Sequence, residues 1–221
     1  MRKLLTIGAL LLATAPLSAQ NWSLGIGTGA FVFGDFVERR QRGPGSPDQP
    51  SVVTTQTLSA ATRAGLAVDL ERSFSERWAI RVEGAFTRAP LSVRDEDDEF
   101  SLDAGELDVT TVMAPIVFRI NPRGSLRFHV LIGPAFAIYK PVGRSNASSD
   151  IAVFEGSRSA WGGAAGAGLA WQWSDRFAVE GQIVDIVTTS PFDRDDFTGL
   201  SGITIPKPHN VHTTVGVRYR F

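Results

Sequence analysis

From Asn21 onward the apolar residues of this chain recur at every second position, in segments of about ten residues separated by turn-forming residues. That is the period of a strand with one oily and one polar face, and not the period of a helix. A first strand sets Leu24, Ile26, Ala30 and Val32 against Ser23, Gly25, Gly27 and Gly29. A second sets Leu58, Ala60, Thr62, Ala64, Leu66, Val68 and Leu70 against Ser59, Ala61, Arg63, Gly65, Ala67, Asp69 and Glu71. The third places Trp78, Ile80, Val82 and Phe86 opposite Ala79, Arg81, Glu83 and Ala85. In the fifth, Leu126, Phe128, Val130, Ile132, Phe136 and Ile138 oppose Arg127, His129, Gly133, Ala135 and Tyr139. The sixth opposes Trp161, Ala165, Leu169, Trp171 and Trp173 to a face of glycine, alanine and Gln172, and the eighth opposes Val211, Val215, Val217, Tyr219 and Phe221 to His212, Thr214, Gly216, Arg218 and Arg220.

Two segments are less regular. Pro115 interrupts the fourth, residues 107 to 120, and reads as a bulge that flips the alternation. In the seventh, which begins at Phe177, Asp185 falls on the oily parity and is expected beyond the edge of an apolar band. The connections alternate in length: long at 35 to 56, 88 to 106, 141 to 157 and 188 to 206, and short at Ser75-Glu76, at 121 to 125 and at Ser174-Asp175-Arg176. Eight strands joined by alternating long and short links predict an all-β fold, an eight-stranded antiparallel up-and-down barrel.

An alternating barrel can be built with its oily face in or out, and volume separates the two. Eight strands enclose a space that side chains just fill, so a lumen lined by the tryptophans and phenylalanines is overfilled, whereas the glycine and alanine face fits. Trp78, Trp171, Trp173, Phe177 and Tyr219 all sit beside the short turns or the last residues, where an aromatic girdle would meet a membrane interface. The expectation is a transmembrane barrel with its oily face in lipid and every backbone polar group paired by closure of the sheet.

What precedes the first strand fits export. Arg2 and Lys3 lead an apolar run from Leu4 to Leu12, followed by Ala15-Pro16-Leu17-Ser18-Ala19, the layout of a signal peptide cleaved after Ala19. Residues 1–19 are therefore read as a signal peptide and 20–221 as the barrel domain. Without Arg2 and Lys3 the 23 acidic residues outnumber the basic ones by three, too mild a balance to name a partner and with no nucleic-acid footprint. The absence of cysteine excludes disulfides, a thiolate metal site, a cysteine nucleophile and a lipid on an N-terminal cysteine.

The ending Val215-Gly216-Val217-Arg218-Tyr219-Arg220-Phe221 resembles the assembly signal of outer-membrane β-barrels, with Val217, Tyr219 and Phe221 as its alternating positions. Leu131-Ile132-Gly133-Pro134-Ala135-Phe136 and Gly166-Ala167-Gly168-Leu169 are similar to phrases of the small outer-membrane barrel-domain family, OmpX-like in size. The resemblance spans essentially all of residues 20–221. It implies insertion by the barrel-assembly machinery, contact with outer-membrane lipid and lipopolysaccharide, both termini in the periplasm and long loops at the cell surface. It carries over no catalytic residue, metal or cofactor.

Inward parity gathers Arg63, Asp69, Glu71, Arg81, Glu83, Arg119, Arg127, His129, Glu180, Arg218 and Arg220. Charges of both signs in a narrow space pair and neutralise one another, so the reading is an ion-pair plug in the lumen. His129 with Glu83, or His212 with Thr214, would be the base and partner of a lipid-A-modifying enzyme, but no motif supports either pair. His209 and His212 point to opposite faces and form no metal site. The acidic runs Asp95–Glu99 and Asp193–Asp196 and the basic run Glu38–Arg42, which leads into Gly43–Pro47, read as solvated loop segments. Three functions remain open: a structural or surface-interaction barrel, a small-molecule carrier or narrow channel, and a membrane-embedded enzyme.

Overall fold

The two-residue alternation becomes a closed wall. The computed structural model describes residues 21–42, 53–95, 101–142, 156–197 and 201–221. Among them the strands are β1 (Trp22–Phe33), β2 (Val37–Arg42), β3 (Val53–Ala60), β4 (Arg63–Ser73), β5 (Trp78–Asp95), β6 (Ser101–Met113), β7 (Ile116–Arg119), β8 (Leu126–Val142), β9 (Arg158–Gln172), β10 (Phe177–Thr188), β11 (Ile203–Thr204) and β12 (His209–Arg220). The wall runs antiparallel through β1, β4, β5, the pair β6 and β7, β8, β9, β10 and β12, and closes where β12 pairs with β1. Counting β6 and β7 as one, that is an eight-stranded barrel. Strands β2, β3 and β11 extend one side of the sheet past the barrel at the long-loop end.

The strands are staggered. Cross-strand partners lead from Gly162 through Ala135, Met113, Glu83 and Asp69 to Gly25, and from Ala164 the other way through Ile186 and Asn210 to Phe33. The two walks leave β9 two residues apart yet reach β1 eight residues apart, so the ladder spirals and the strands tilt against the barrel axis. The ladder places Glu71 directly opposite Arg81, and tilt brings Glu180 and Arg218, which are not direct partners, to the same level.

The oily face is outside. Ile132 and Trp161 are each 68% exposed, and Ile26, Leu66, Ile183 and Val215 are more than half exposed, while their chain neighbours turn inward. No helix among the described residues is long and apolar enough to cross a membrane.

The second segment is two strands, not one. Ala61–Ala64 spans the same stretch of ladder as Arg88–Pro90, so β3 and β4 meet at a one-residue bulge, where Ala61 N–H donates to the Pro90 carbonyl oxygen (2.9 Å). The extra residue turns the chain over. Leu58 and Ala60 are therefore buried inside, although they share sequence parity with the outward Leu66 and Val68.

Pro115, in turn, is not a bulge. Register with β5 and with β8 continues unchanged from Met113 to Ile116, and proline only removes a donor: its carbonyl still accepts from Arg81 N–H (3.0 Å). The flip comes before that segment, at Gly105, whose φ of 101° accommodates an unpaired Ala104 between the partners of Leu91 and Ser92. The described parts of the long connections at 35–56 and 88–106 are also largely strand: β2 pairs with β3, and β5 continues to Asp95 against β6.

The interior has two tiers. Toward the short turns it is charged; toward the long loops it holds Phe31, Phe33, Phe36, Leu58, Leu91, Leu107, Tyr139 and Phe192, all buried. Volume does not exclude these rings because small residues face them, as at Ala60, Ala89, Ala137 and Ala160. A Cβ at Gly65 would overlap the Phe31 ring and approach the Phe86 carbonyl oxygen to 2.7 Å. Gly65→Val is expected to lose about 1–3 kcal/mol by overpacking, read as a lower urea midpoint in micelles.

Candidate functional site

Inward positions on six strands converge in the charged tier: Asp69 and Glu71 from β4, Arg81 and Glu83 from β5, Arg119 from β7, His129 from β8, Glu180 and Gln182 from β10, and Arg218 from β12. Their long side chains fit because β1 and β9 are lined with glycine. A Cβ at Gly25 would overlap the Asp69 carboxylate, and one at Gly168 the His129 ring.

Arg81 is the centre, with a side chain only 2% exposed. Its Nη2 and Nε donate to Glu71 Oε2 (2.7 and 3.0 Å), and its Nη1 reaches Glu180 Oε1 (2.7 Å) and Gln182 Oε1 (2.8 Å). Gln182 Nε2 passes the network on to Glu83 Oε2 (2.8 Å). Arg218 donates from Nε to Glu180 Oε2 (2.7 Å), and its Nη1 lies 2.8 Å from Asp69 Oδ1 and 3.2 Å from Ser23 Oγ. Arg119 donates to Glu71 Oε1 and to Ser73 Oγ (3.1 Å). Bidentate and shared guanidinium bonds of this kind are the arrangement in which buried charges tolerate desolvation.

Arg63 is not part of this network. It lies at the β3–β4 bulge, before the inward alternation resumes at Gly65, and is exposed. Arg127 and Arg220 stand apart from the centre, in the wall of a cavity of about 600 Å³ at the short-turn end. Gln182 and Ser23 were not among the charged candidates, although Gln182 shares parity with Glu180 two residues away and was findable on that signal.

The histidine pairs do not form. His129 Nε2 is 3.5 Å from Glu180 Oε1, not beside Glu83, and has no hydrogen-bond partner. His212 packs its ring on Phe31 (centroids 4.2 Å apart), with neither ring nitrogen bonded. His209 faces outward, and its Nδ1 is 2.9 Å from Asp185 Oδ2, so the charge on the oily parity of β10 is held by a cross-strand partner. Above the charged tier a second buried polar group escaped the sequence: Asn210 Nδ2 donates to Tyr139 Oη (2.9 Å), which lies 3.3 Å from Thr188 Oγ1.

Trp78, Trp171, Trp173 and Phe177 project outward beside the short turns, where Phe177 packs on Tyr219 (5.0 Å) and Tyr219 on Phe221 (5.2 Å). Val217 is outward on the same edge. At the opposite end, Glu38 pairs with Arg40 on β2 (2.7 Å). Glu96–Glu99 and Gly43–Pro47 lie outside the described residues, as do residues 1–20.

Asp196, in a short 3-10 turn at Arg194–Phe197, takes a bidentate bond from Arg158 on β9 and accepts from Asp193 N–H (2.8 Å). The Arg158 hydrogen bonds hold its carboxyl below the usual aspartate range. A depressed pKa contributes stability that is present above the unfolded value, about 3.9, and is lost as pH falls through the lower folded value. Amide exchange around residue 196, corrected for intrinsic rate, is therefore expected to speed up below about pH 4; in Asp196→Asn it should be fast at every pH.

No family model matches the chain, and no curated protein does. Among solved structures the chain is similar to the outer membrane protein OprG from Pseudomonas aeruginosa, with a TM-score of 0.59 at 11% identity over 91% of this chain and 97% of that one. It is also similar to the outer membrane protein AlkL in DMPC bilayers, with a TM-score of 0.53 at 13% identity over 91% and 90% of the two chains. At these identities the likeness is one of fold: the chain has the fold of the small outer-membrane barrels.

Proposed function

We propose that this protein resides in the bacterial outer membrane, with short turns and both termini in the periplasm and long loops outside, as a closed barrel with a structural or surface-interaction role. The observation that carries the reading is that the interior is blocked twice. Arg81 and its partners cross the lumen near the short turns, and the layer of Phe31, Phe33, Leu58, Leu91, Leu107 and Tyr139 fills it near the long loops. A pore would need a continuous polar path, and the apolar layer interrupts one. What is left to do work is the outside: the lipid-facing band, and the sheet of β2, β3, β5, β6 and β11 that rises past the barrel.

In this reading residues 1–19 are removed on export, and Val217, Tyr219 and Phe221 are offered to the barrel-assembly machinery. The outward band meets membrane lipid and, in the outer leaflet, lipopolysaccharide. Reconstitution into planar bilayers is expected to give no steady single-channel current above background; a large, stable current from the wild-type protein would overturn the closed-barrel reading.

A further inference from the structure

We propose that the short-turn mouth of the barrel is a binding site for a small multivalent oxyanion whose charge is carried on phosphate or carboxylate groups. The site lies at the opposite end from the long loops and does not depend on the surface role proposed above. Its cavity, about 600 Å³, is of small-molecule size. The lining carries seven arginines against three glutamates. Those three are already engaged: Glu71 and Glu180 by Arg81, Arg119 and Arg218 in the floor, and Glu76 by Arg123 at the rim (3.2 Å).

Arg127 and Arg176 are left with no carboxylate partner among the described residues. Arg127 donates from Nε to the Gly124 carbonyl oxygen (3.2 Å), which fixes the stem and leaves the two terminal nitrogens for a ligand. Guanidinium groups gathered without counter-charge in a concave wall focus a positive field into the cavity. The seven are arginines, and the planar fork of arginine matches paired oxygens where lysine offers a point charge. In the floor, His129 is 4% exposed, with its Nε2 3.5 Å from Glu180 Oε1 and turned toward Gly168 in the wall.

The volume is larger than one phosphate requires, so the ligand is a diphosphate, a phosphate ester or a tricarboxylate, either as a free solute or as an anionic lipid headgroup from beside the girdle. The test is calorimetric titration of the protein, refolded in zwitterionic micelles, with inorganic pyrophosphate and separately with citrate. One saturable site is expected, weakening as salt rises, with affinity reduced about tenfold or more in Arg127→Gln/Arg176→Gln and unchanged in Arg88→Gln, which is outside the cavity. Both mouth arginines are at turns, and the gel-mobility shift of the unheated barrel checks that the double variant folds. Displacement of pyrophosphate by phosphatidylglycerol added to the micelles assigns the site to a headgroup, and lack of displacement assigns it to a free solute; either supports the proposal. No saturable heat with either anion, or equal affinity in the double variant, overturns it.

Discussion

Arg81→Ala is expected to lose about 3–5 kcal/mol of unfolding free energy, the cost of breaking a buried ion pair from one side. The size follows from what stays behind. Glu71 and Glu180 would keep Arg119 and Arg218, but each would lose a bond of 2.7 Å, and Gln182 would lose the donor that orients it toward Glu83. The two carboxylates are held out of water, Glu71 at 2% and Glu180 at 9% exposed, and the removed side chain is what neutralises both. Neutralising the neighbours together, in Arg81→Met/Glu71→Gln/Glu180→Gln, is expected to recover most of the loss, because an uncharged filler of similar volume is often neutral or stabilising. Urea unfolding in micelles or vesicles, followed by tryptophan fluorescence, reads both variants. A loss below about 1 kcal/mol in Arg81→Ala would mean that the cluster is solvated like a surface pair, and the closed lumen would fall with it.

Much of this architecture is legible in the sequence, because a barrel writes itself in parity. Ile80, Val82 and Phe86 against Arg81, Glu83 and Ala85 determine both the strand and its orientation, and every inward charge of the central cluster follows from that rule. The sequence reading fails where one extra residue changes the count. Between Ala60 and Gly65 the residues are mostly small, Ala60-Ala61-Thr62-Arg63-Ala64-Gly65, and fit either face, so nothing in the pattern marks the bulge, and Leu58 and Arg63 are assigned to the wrong surroundings. Pro115 misleads in the opposite direction: proline is the conspicuous residue, yet the register shift belongs to Gly105, where a positive φ is needed and the letter itself is unremarkable.

The second blind spot is composition along the lumen. Volume arguments for a narrow barrel treat the interior as uniform, but here bulk and smallness are distributed by level. Glycines of β1 and β9 make room for Asp69 and His129 near the short turns, and alanines make room for Phe31, Phe33 and Tyr139 near the long loops. Parity reveals which residues face in; it is silent on how high each one sits. That height is set by the stagger of the strands, which no single segment contains. The mouth cavity is hidden for the same reason: Arg127 comes from the start of β8, Arg176 from the turn between β9 and β10 and Arg220 from the end of β12, and only closure of the ladder sets them around one opening.

Val215→Arg is expected to cost about 2–4 kcal/mol in phospholipid bilayers, as for a basic residue near the midplane of a lipid-facing wall. Val215 is 58% exposed on the oily face, and its strand neighbour Thr214 turns into the lumen, so the new guanidinium has no interior route to water. Its neighbours on the adjoining strands offer no counter-charge: Thr28 and Gly181 lie directly across the ladder, with Ile26 and Ile183 on the diagonals. The same change at Ile120, 56% exposed but beside a short turn, should cost only about 0–1 kcal/mol, because an arginine there reaches the interface. The two sites have nearly equal exposure, so a difference in cost reports depth in lipid and not loss of protein contacts. Equal, small losses at both positions, measured by reversible urea unfolding in short-chain phospholipid vesicles, would mean that the oily band meets water, and the membrane location proposed for this barrel would have to be abandoned.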